Sequence, residues 1–288
     1  MAPTVSASVA AHCEALVRAQ DPDRYWAGLF APPDKRPFLY GLYAFNLEIA
    51  RVRESVSAPL PGEIRLQWWR DVLDAIDGGA RGDPVSEALA AAIARFSLPV
   101  QAFHDLIDAR VFDLYEDPMP SLDDLEGYCG ETSSVLFRLA GIVLADGRDP
   151  GGADAAGHAG VAYAITGLLR ALPWHLRRGQ VFLPADILET HGITRAMLMS
   201  PSPDSPALRS ALADMRRIAR DHFAQAESAI AALSTEARAA LLPLATVPGY
   251  LARMERRGYQ PSRTLIDLPQ WRRQWAIWRT AVRWRRLV

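Results

Sequence analysis

The sequence predicts an all-α protein. Apolar residues recur at helical spacing along most of the chain, as at Leu208, Leu212, Met215 and Ala219. The alternating patterns that are typical of strands are absent. Residues 179–184 form the one short stretch that favours an extended backbone. We therefore expect helices packed on helices, with no sheet.

Capping residues mark where several helices begin. Asp34 follows two prolines and predicts a helix that runs to about Ser55. Three further starts carry an N-cap with proline after it, or a capping box: Asp83-Pro84, Ser205-Pro206 and Ser121-Leu-Asp-Asp124. Clusters of Gly, Pro and Asp predict loops near residues 78–83, 116–121, 146–153 and 200–206.

Composition narrows the class of protein. No long Gly/Ser linker divides the 288 residues, so we expect one domain over 1–288, with 1–20 as an N-terminal extension and 268–288 as a C-terminal helix. The net charge of −1 gives no electrostatic case for nucleic-acid binding.

Cys13 and Cys129 form no disulfide or metal pattern. The first residues resemble neither a signal nor a transit peptide, and no run of 18 apolar residues occurs, which favours the cytoplasm.

Two ordered segments resemble the squalene/phytoene synthase family. The first is Pro33-Asp-Lys-Arg-Pro-Phe-Leu-Tyr-Gly-Leu-Tyr-Ala-Phe45, which leads into Asn46 to Glu54, where the family carries an acidic motif. The second is Thr166-Gly-Leu-Leu-Arg170-Ala-Leu-Pro-Trp-His175-Leu-Arg-Arg-Gly-Gln-Val-Phe-Leu-Pro184. The resemblance runs from about Asp23 to the C-terminus. It implies a single helical bundle of the isoprenoid synthase type around a central cavity, with residues 34–55 and 155–178 facing each other across it.

The acids that this family needs for catalysis are missing here. Its enzymes couple two prenyl diphosphates head to head, and Mg²⁺ held by carboxylates neutralises the departing diphosphate. The matching positions are Ala50, Arg51, Glu54, Ala171 and His175. Only Glu54 is acidic, and Pro173 should remove a hydrogen bond from the second motif helix and kink it. The resemblance therefore implies a protein without bound Mg²⁺ and without catalytic residues.

Basic and aromatic side chains near the two motifs are candidates for binding a ligand. They are Tyr43, Glu48, Arg51, Glu54, Arg170, His175, Arg177 and Arg178. Arginine binds phosphate in a bidentate manner, so a metal-free pocket for a diphosphate or lipid head group is one interpretation. The alternative is that the arginines pair with Glu48, Glu54, Asp108 and Asp113, or face solvent. The aromatic set Tyr40, Tyr43 and Phe45 is interpreted as core.

One branch of the family is a better match than the synthases. The Asn46-Leu-Glu48 and Arg170-Ala-Leu-Pro173-Trp-His175 patterns resemble the mitochondrial complex I assembly factors that carry a squalene/phytoene synthase-like domain. This resemblance implies a pseudoenzyme whose partners are complex I subunits or assembly intermediates, here in a bacterial cytoplasm. Two alternatives remain: a prenyl-diphosphate transferase with an atypical site, and a lipid- or quinone-binding protein.

The C-terminal segment is basic and rich in tryptophan, with no acid after Asp267. Helical spacing places Trp271, Trp275, Trp278 and Val282 on one face. It places Arg272, Arg279, Arg283 and Arg286 on another. Such a helix lies on a membrane, here peripherally on the inner membrane, or packs its tryptophans on the core as the last helix of the bundle. Both interpretations stand at this point.

Overall fold

The structure, a computed structural model, describes residues 4–76, 82–200 and 204–285. Its first eight α-helices are α1 (Ala7–Gln20), α2 (Pro22–Gly28), α3 (Arg36–Ala50), α4 (Val52–Ser55), α5 (Pro59–Asp74), α6 (Pro84–Phe96), α7 (Val100–Val111) and α8 (Leu122–Cys129). The others are α9 (Val135–Leu144), α10 (Ala153–Arg177), α11 (Ala185–Thr190), α12 (Arg195–Leu198), α13 (Pro206–Ala229), α14 (Val247–Met254) and α15 (Gln270–Arg285). These ranges contain no β-strand, so the all-α prediction is confirmed.

Short helical turns of other types complete the bundle. A π-helical turn, Gly130–Ser134, joins α8 to α9. The 3₁₀ segments are Phe112–Leu114, Ile230–Ala232 and Ala237–Thr246. No helix in the described part of the chain is both long enough and apolar enough to cross a membrane.

Three of the four predicted helix starts are confirmed. The side chains of Asp83, Ser121 and Ser205 each accept a hydrogen bond from the backbone N–H three residues later, at 2.7, 3.1 and 3.1 Å. Each therefore satisfies one of the N–H groups that a helix leaves unpaired in its first turn. Proline follows two of these caps at the first helical position, where its missing N–H costs no helical hydrogen bond.

The prediction of one helix from Asp34 to Ser55 is wrong in two respects. Asp34 lies in a turn closed by the Pro32 carbonyl, and α3 begins at Arg36 without a side-chain cap. The helix then breaks at Arg51, where the backbone leaves the helical region (φ −97°, ψ 1°). The Arg51 side chain holds this corner because it donates to Gln20 Oε1 of α1 at 2.5 Å. The acidic-motif segment is therefore split between α3 and α4.

The segments between helices follow the sequence prediction where they are described. Residues 116–120 and 146–152 are loops, whereas residues 78–81 and 201–203 of the other two predicted loops lie outside the described ranges. The 179–184 stretch forms no strand. Its Val181 carbonyl accepts from the Met119 N–H at 3.2 Å, so it is tied to the loop that precedes α8.

The long helix α10 is the centre of the bundle. It packs against α8, α9, α13 and α14, and it continues through Pro173 to Arg177. Gly160 permits its close approach to the π-helical turn, because a Cβ there would lie 2.3 Å from the Ser134 backbone. Tyr40, Tyr43 and Phe45 are buried, as the core interpretation required. At the other edge, α1 packs on α3 and α6 through Val9, Cys13 and Val17.

The C-terminal helix α15 lies on the surface with its tryptophans divided between two faces. Trp284 is buried, whereas the exposed fractions of Trp271, Trp275 and Trp278 are 62%, 56% and 48%. The interpretation that all these tryptophans pack on the core is therefore wrong for three of the four. Arg286, at the end of the predicted basic face, lies outside the described residues.

Candidate functional site

A cavity of about 440 Å³ opens where the two motif segments meet. Ala50, Arg53 and Glu54 line it from the ends of α3 and α4. Ala171, Trp174, His175 and Arg178 line it from the end of α10 and the residue after it. Its other walls are Arg110, Asp113, Tyr128, Leu168, Gln180 and Phe182. The two segments therefore face each other at this cavity.

Glu54 is the one carboxylate that remains at the motif positions, and two guanidinium groups contact it. Its Oε2 lies 3.4 Å from Arg51 Nε, and its Oε1 lies 3.6 Å from an Arg178 nitrogen. All three side chains are partly exposed, so these ion pairs are screened by solvent. Both oxygens of the Glu54 carboxylate are thus paired with arginine.

His175 lies against aromatic and basic groups at the cavity wall. Its ring centroid is 4.6 Å from that of Phe182. Burial, together with the nearby charges of Arg178 and Arg110, lowers the pKa of His175 to about 4. The imidazole is therefore neutral near pH 7 and can accept or donate one hydrogen bond to a ligand.

A buried polar cluster forms the floor of the cavity. Asp113 accepts from the Tyr128 hydroxyl at 2.7 Å and from Arg110 at 3.0 Å, and Arg110 also donates to the Tyr128 oxygen at 2.7 Å. Gln180 donates to the Asp113 carbonyl at 2.7 Å. Burial raises the pKa of the Asp113 carboxyl, while Arg110 opposes that rise. Asp113 is thus a pairing group, and Asp108 pairs with Arg70 at 2.5 Å on the surface.

Of the eight ligand candidates, the structure brings Glu54, His175 and Arg178 to the cavity. Arg51 points to α1, and Arg177 is exposed with its guanidinium 5.7 Å from the Trp174 ring. Arg170 lies over the Tyr250 ring at 3.7 Å, away from the cavity.

Two further candidates, Tyr43 and Glu48, also lie outside this cavity. Tyr43 is a core residue, and burial raises its pKa to about 12. Glu48 is half-buried and is not among the lining side chains.

The side chains at the cavity do not suit Mg²⁺. This ion requires about six oxygen ligands, most often carboxylates and water. Arg53, Arg110 and Arg178 surround the two acids present, Glu54 and Asp113, and both acids already pair with arginine. Within the described ranges, no three His, Cys, Asp or Glu residues are placed to hold a metal ion.

Sequence reasoning missed Arg110 and Gln180 as cavity residues. Arg110 lies three positions before Asp113, so the two side chains share a helical face, and this spacing could have indicated the pair. Gln180 gives no such signal, because its contact depends on how the 179–184 stretch folds back.

An exposed apolar stripe on α5 was also missed. Leu60, Ile64 and Trp68 are 65%, 62% and 46% exposed, and their spacing of four residues aligns them on one face. The sequence pattern did not separate this stripe from the core, because Leu66, Trp69 and Leu73 of the same helix are buried.

Both curated proteins and solved structures resemble this chain. Complex I assembly factor 6 of Rattus norvegicus is 30% identical over 272 residues, covering 92% of this chain and 81% of the relative. The same protein of Homo sapiens is 29% identical with the same coverage. The 15-cis-phytoene synthase of a Synechocystis strain is 27% identical over 234 residues, covering 77% of this chain and 69% of the relative.

The solved structures share the fold. A squalene synthase from Alicyclobacillus acidocaldarius aligns with a TM-score of 0.76 at 22% identity, covering 88% of this chain and 95% of its own. A dehydrosqualene synthase bound to a ligand aligns with a TM-score of 0.78 at 18% identity, covering 96% of both chains. The sequence model of squalene/phytoene synthase matches residues 17–279. The chain therefore belongs to the squalene/phytoene synthase family.

Proposed function

We propose that this protein is a non-catalytic assembly factor for respiratory NADH:quinone oxidoreductase, complex I. One combined observation carries the proposal: the chain resembles complex I assembly factor 6, and it lacks most of the motif acids that a coupling enzyme needs. The chain is about 30% identical to complex I assembly factor 6 over almost its whole length. Its motif positions hold Ala50, Arg51, Ala171 and His175 where a coupling enzyme needs acids.

The loss of Mg²⁺ follows from the same residues. Ionising an allylic diphosphate places negative charge on the leaving group, and metal ions supply the countercharge in a working enzyme. At this cavity Glu54 is occupied by Arg51 and Arg178. A guanidinium repels Mg²⁺, and a neutral imidazole at His175 is a poor ligand for so hard a cation. The protein thus acts without the family's metal.

Its place of action is the cytoplasmic side of a bacterial inner membrane, with the chain bound peripherally. Residues of a helix are 100° apart, so Trp271, Trp275 and Trp278 point within about 60° of one another. This direction is opposite to the buried side chains Ile277 and Trp284. The described part of α15 has no acid and five arginines, of which Arg273 and Arg283 pair with Asp267 and Glu227. The other three have no ion pair among the described residues, and their charge complements anionic lipid.

The partner is a subunit or assembly intermediate of complex I, and the α5 stripe is the surface that fits it. Leu60, Ile64 and Trp68 are flanked by charges of both signs, among them Glu63 and Arg65. Such a mixed rim gives no net attraction to anionic lipid, whereas an apolar strip with a polar rim is the usual anatomy of a protein interface. The two exposed apolar faces therefore serve different partners.

Gene deletion tests the assembly function. The deletion strain should lose assembled, proton-pumping complex I on native gels and the matching NADH oxidase activity. Its carotenoids and hopanoids should remain at wild-type levels, because this chain does not couple prenyl diphosphates. Normal complex I together with missing isoprenoids would refute the proposal and favour a transferase.

A second candidate function is binding of a lipid or quinone in the cavity. The cavity of about 440 Å³ supports it, since basic groups such as Arg53 and Arg178 adjoin apolar Leu168 and Phe182. Native mass spectrometry of the purified protein should then detect a bound isoprenoid, quinone or phospholipid. A protein that carries none, and that binds none when such lipids are added, excludes this candidate.

A further inference from the structure

A second cavity, of about 560 Å³, lies where α15 begins, and none of the residues that line it lines the cavity between the two motif segments. Arg18 at the end of α1 and Arg253 at the end of α14 lie on its walls. Tyr25 and Trp26 of α2 supply an aromatic wall, and Arg273 of α15 lines the cavity as well. Arginines from three helices therefore converge on one opening.

Two of these arginines have no carboxylate partner among the described residues. Arg18 stacks over the Tyr25 ring at 5.6 Å. Arg253 donates to the Asp267 carbonyl at 2.9 Å and makes no ion pair. Both guanidinium groups thus keep donors for an incoming anion.

The remaining charges of the cavity compensate one another. Asp267 is its one acidic lining residue, and its carboxylate is bonded by Arg273 and lies 3.7 Å from Arg170. Behind the wall, buried Asp23 lies 3.7 Å from Arg273 Nε. The positive charges of Arg18 and Arg253 are therefore left uncompensated at the opening.

The position of the cavity relative to α15 indicates the kind of anion. Gln270 lines the cavity, and the next residue, Trp271, begins the exposed tryptophan face. A helix that lies in the head-group layer places such tryptophans among the acyl chains and its polar flanks among phosphates. The start of α15 also adds the positive end of the helix dipole.

We propose that Arg18 and Arg253 bind the phosphate of an anionic phospholipid head group in this cavity. The proposal rests on the membrane association described above. The two guanidinium forks hold the phosphate oxygens, and Trp26 and Tyr25 cover the glycerol next to it. The tryptophan face of α15 supplies apolar attachment, and this site supplies preference for anionic lipid.

Vesicle co-sedimentation of the full chain tests the site. Wild type should prefer vesicles of phosphatidylcholine plus phosphatidylglycerol to vesicles of phosphatidylcholine alone. The double variant Arg18→Gln/Arg253→Gln should bind the mixed vesicles roughly 30-fold more weakly, about fivefold per arginine.

The matched control is Arg95→Gln. Arg95 is also an exposed arginine in the last turn of a helix, stacks on an aromatic ring at 5.1 Å and has no ion pair in the described ranges. It should change binding by less than about twofold.

A charge-preserving variant distinguishes a specific phosphate site from a general attraction between positive side chains and the anionic vesicle surface. Arg18→Lys/Arg253→Lys keeps both charges but removes the bidentate forks, so binding should still weaken by roughly fivefold or more. Wild-type binding by this lysine variant would overturn the site while leaving the membrane association intact. Failure of wild type to bind either vesicle would overturn both proposals.

Inorganic phosphate distinguishes a soluble ligand from a lipid. One outcome is that phosphate raises the Tm of wild type but not of the Gln double variant, while both proteins bind vesicles equally. The site would then bind a soluble phosphate, and the lipid assignment would be wrong. Weaker vesicle binding by the Gln variant, with the Arg95 control unchanged, supports the lipid assignment.

Discussion

An Arg178 guanidinium nitrogen lies 3.6 Å from Glu54 Oε1, and this contact joins the two motif segments across the cavity. In an enzyme of this family, metal ions between the same segments would provide that link. Here the Arg178 guanidinium contacts the one carboxylate that remains at the motif positions. The pair is partly exposed and contributes well under ~1 kcal/mol to stability, so its main consequence is for chemistry.

The first prediction is that the purified protein does not condense farnesyl or geranylgeranyl diphosphate in the presence of Mg²⁺. Glu54 is the one motif carboxylate left, and it is engaged by Arg51 and Arg178. Labelled substrate should be recovered unchanged, while an active phytoene synthase run in parallel makes product. Turnover that disappears in Glu54→Ala would show instead that the chain is a transferase with an atypical site.

The lowered pKa of His175 predicts how the stability of the protein depends on pH. Its folded-state pKa of about 4 lies below the ordinary 6.5, so the unfolded chain takes up a proton first as the pH falls. The contribution of neutral His175 to the free energy of unfolding is complete above pH 6.5 and declines between pH 6.5 and 4. It amounts to about 2 kcal/mol, after allowance for partial exposure.

Urea unfolding of wild type and His175→Gln from pH 7.5 to 4 measures this contribution. The variant should lose less stability than wild type across the window, because glutamine does not titrate. Parallel pH profiles for the two proteins would contradict a depressed pKa at His175.

Two glycines of α10 should respond to alanine in opposite directions. Alanine in a helix is usually more stable than glycine by about 0.5–1 kcal/mol. A Cβ at Gly160 would meet the Ser134 backbone at 2.3 Å, whereas a Cβ at Gly167 would have no neighbour within 4 Å. Gly160→Ala should therefore lower the free energy of unfolding by about 2 kcal/mol or more. Gly167→Ala should raise it, and equal effects in urea melts would mean that α10 can move away from the π-helical turn.

The sequence was sufficient to predict the fold class. It also predicted three of the four helix starts that were named from caps, because capping chemistry at residues such as Asp83 and Ser205 operates within one helical turn. It did not predict the break at Arg51, which depends on Gln20 of a distant helix. The cavity was predicted in outline from the motif positions. Which arginines face it was not predictable, since Arg170 and Arg177 lie in α10, Arg178 directly follows it, and only the packing around each decides which one reaches the cavity.

The tryptophan face of α15 should control membrane binding. Replacing Trp271, Trp275 and Trp278 by Ala removes three exposed rings without disturbing buried Trp284. Binding to anionic vesicles should fall at least about tenfold, because each ring contributes apolar area to the interface. The matched control replaces Leu60, Ile64 and Trp68 by Ala, which removes comparable exposed apolar area from α5. Vesicle binding that is unchanged in the first variant, or reduced equally in both, would exclude α15 as the membrane anchor.

The last prediction concerns the α5 stripe in cells. A deletion strain complemented with Ile64→Glu/Trp68→Glu should recover little assembled complex I, since a carboxylate in an apolar interface loses its hydration without gaining a partner. Both side chains are about half exposed or more in the free protein, so the variant should fold with a Tm close to that of wild type. It should also bind anionic vesicles at nearly the wild-type level, because α15 is intact. The α15 tryptophan variant should show the converse pattern in vitro, with lost vesicle binding and an intact α5 surface. Full complementation by a folded, membrane-binding α5 variant would show that the complex I partner docks elsewhere on the bundle.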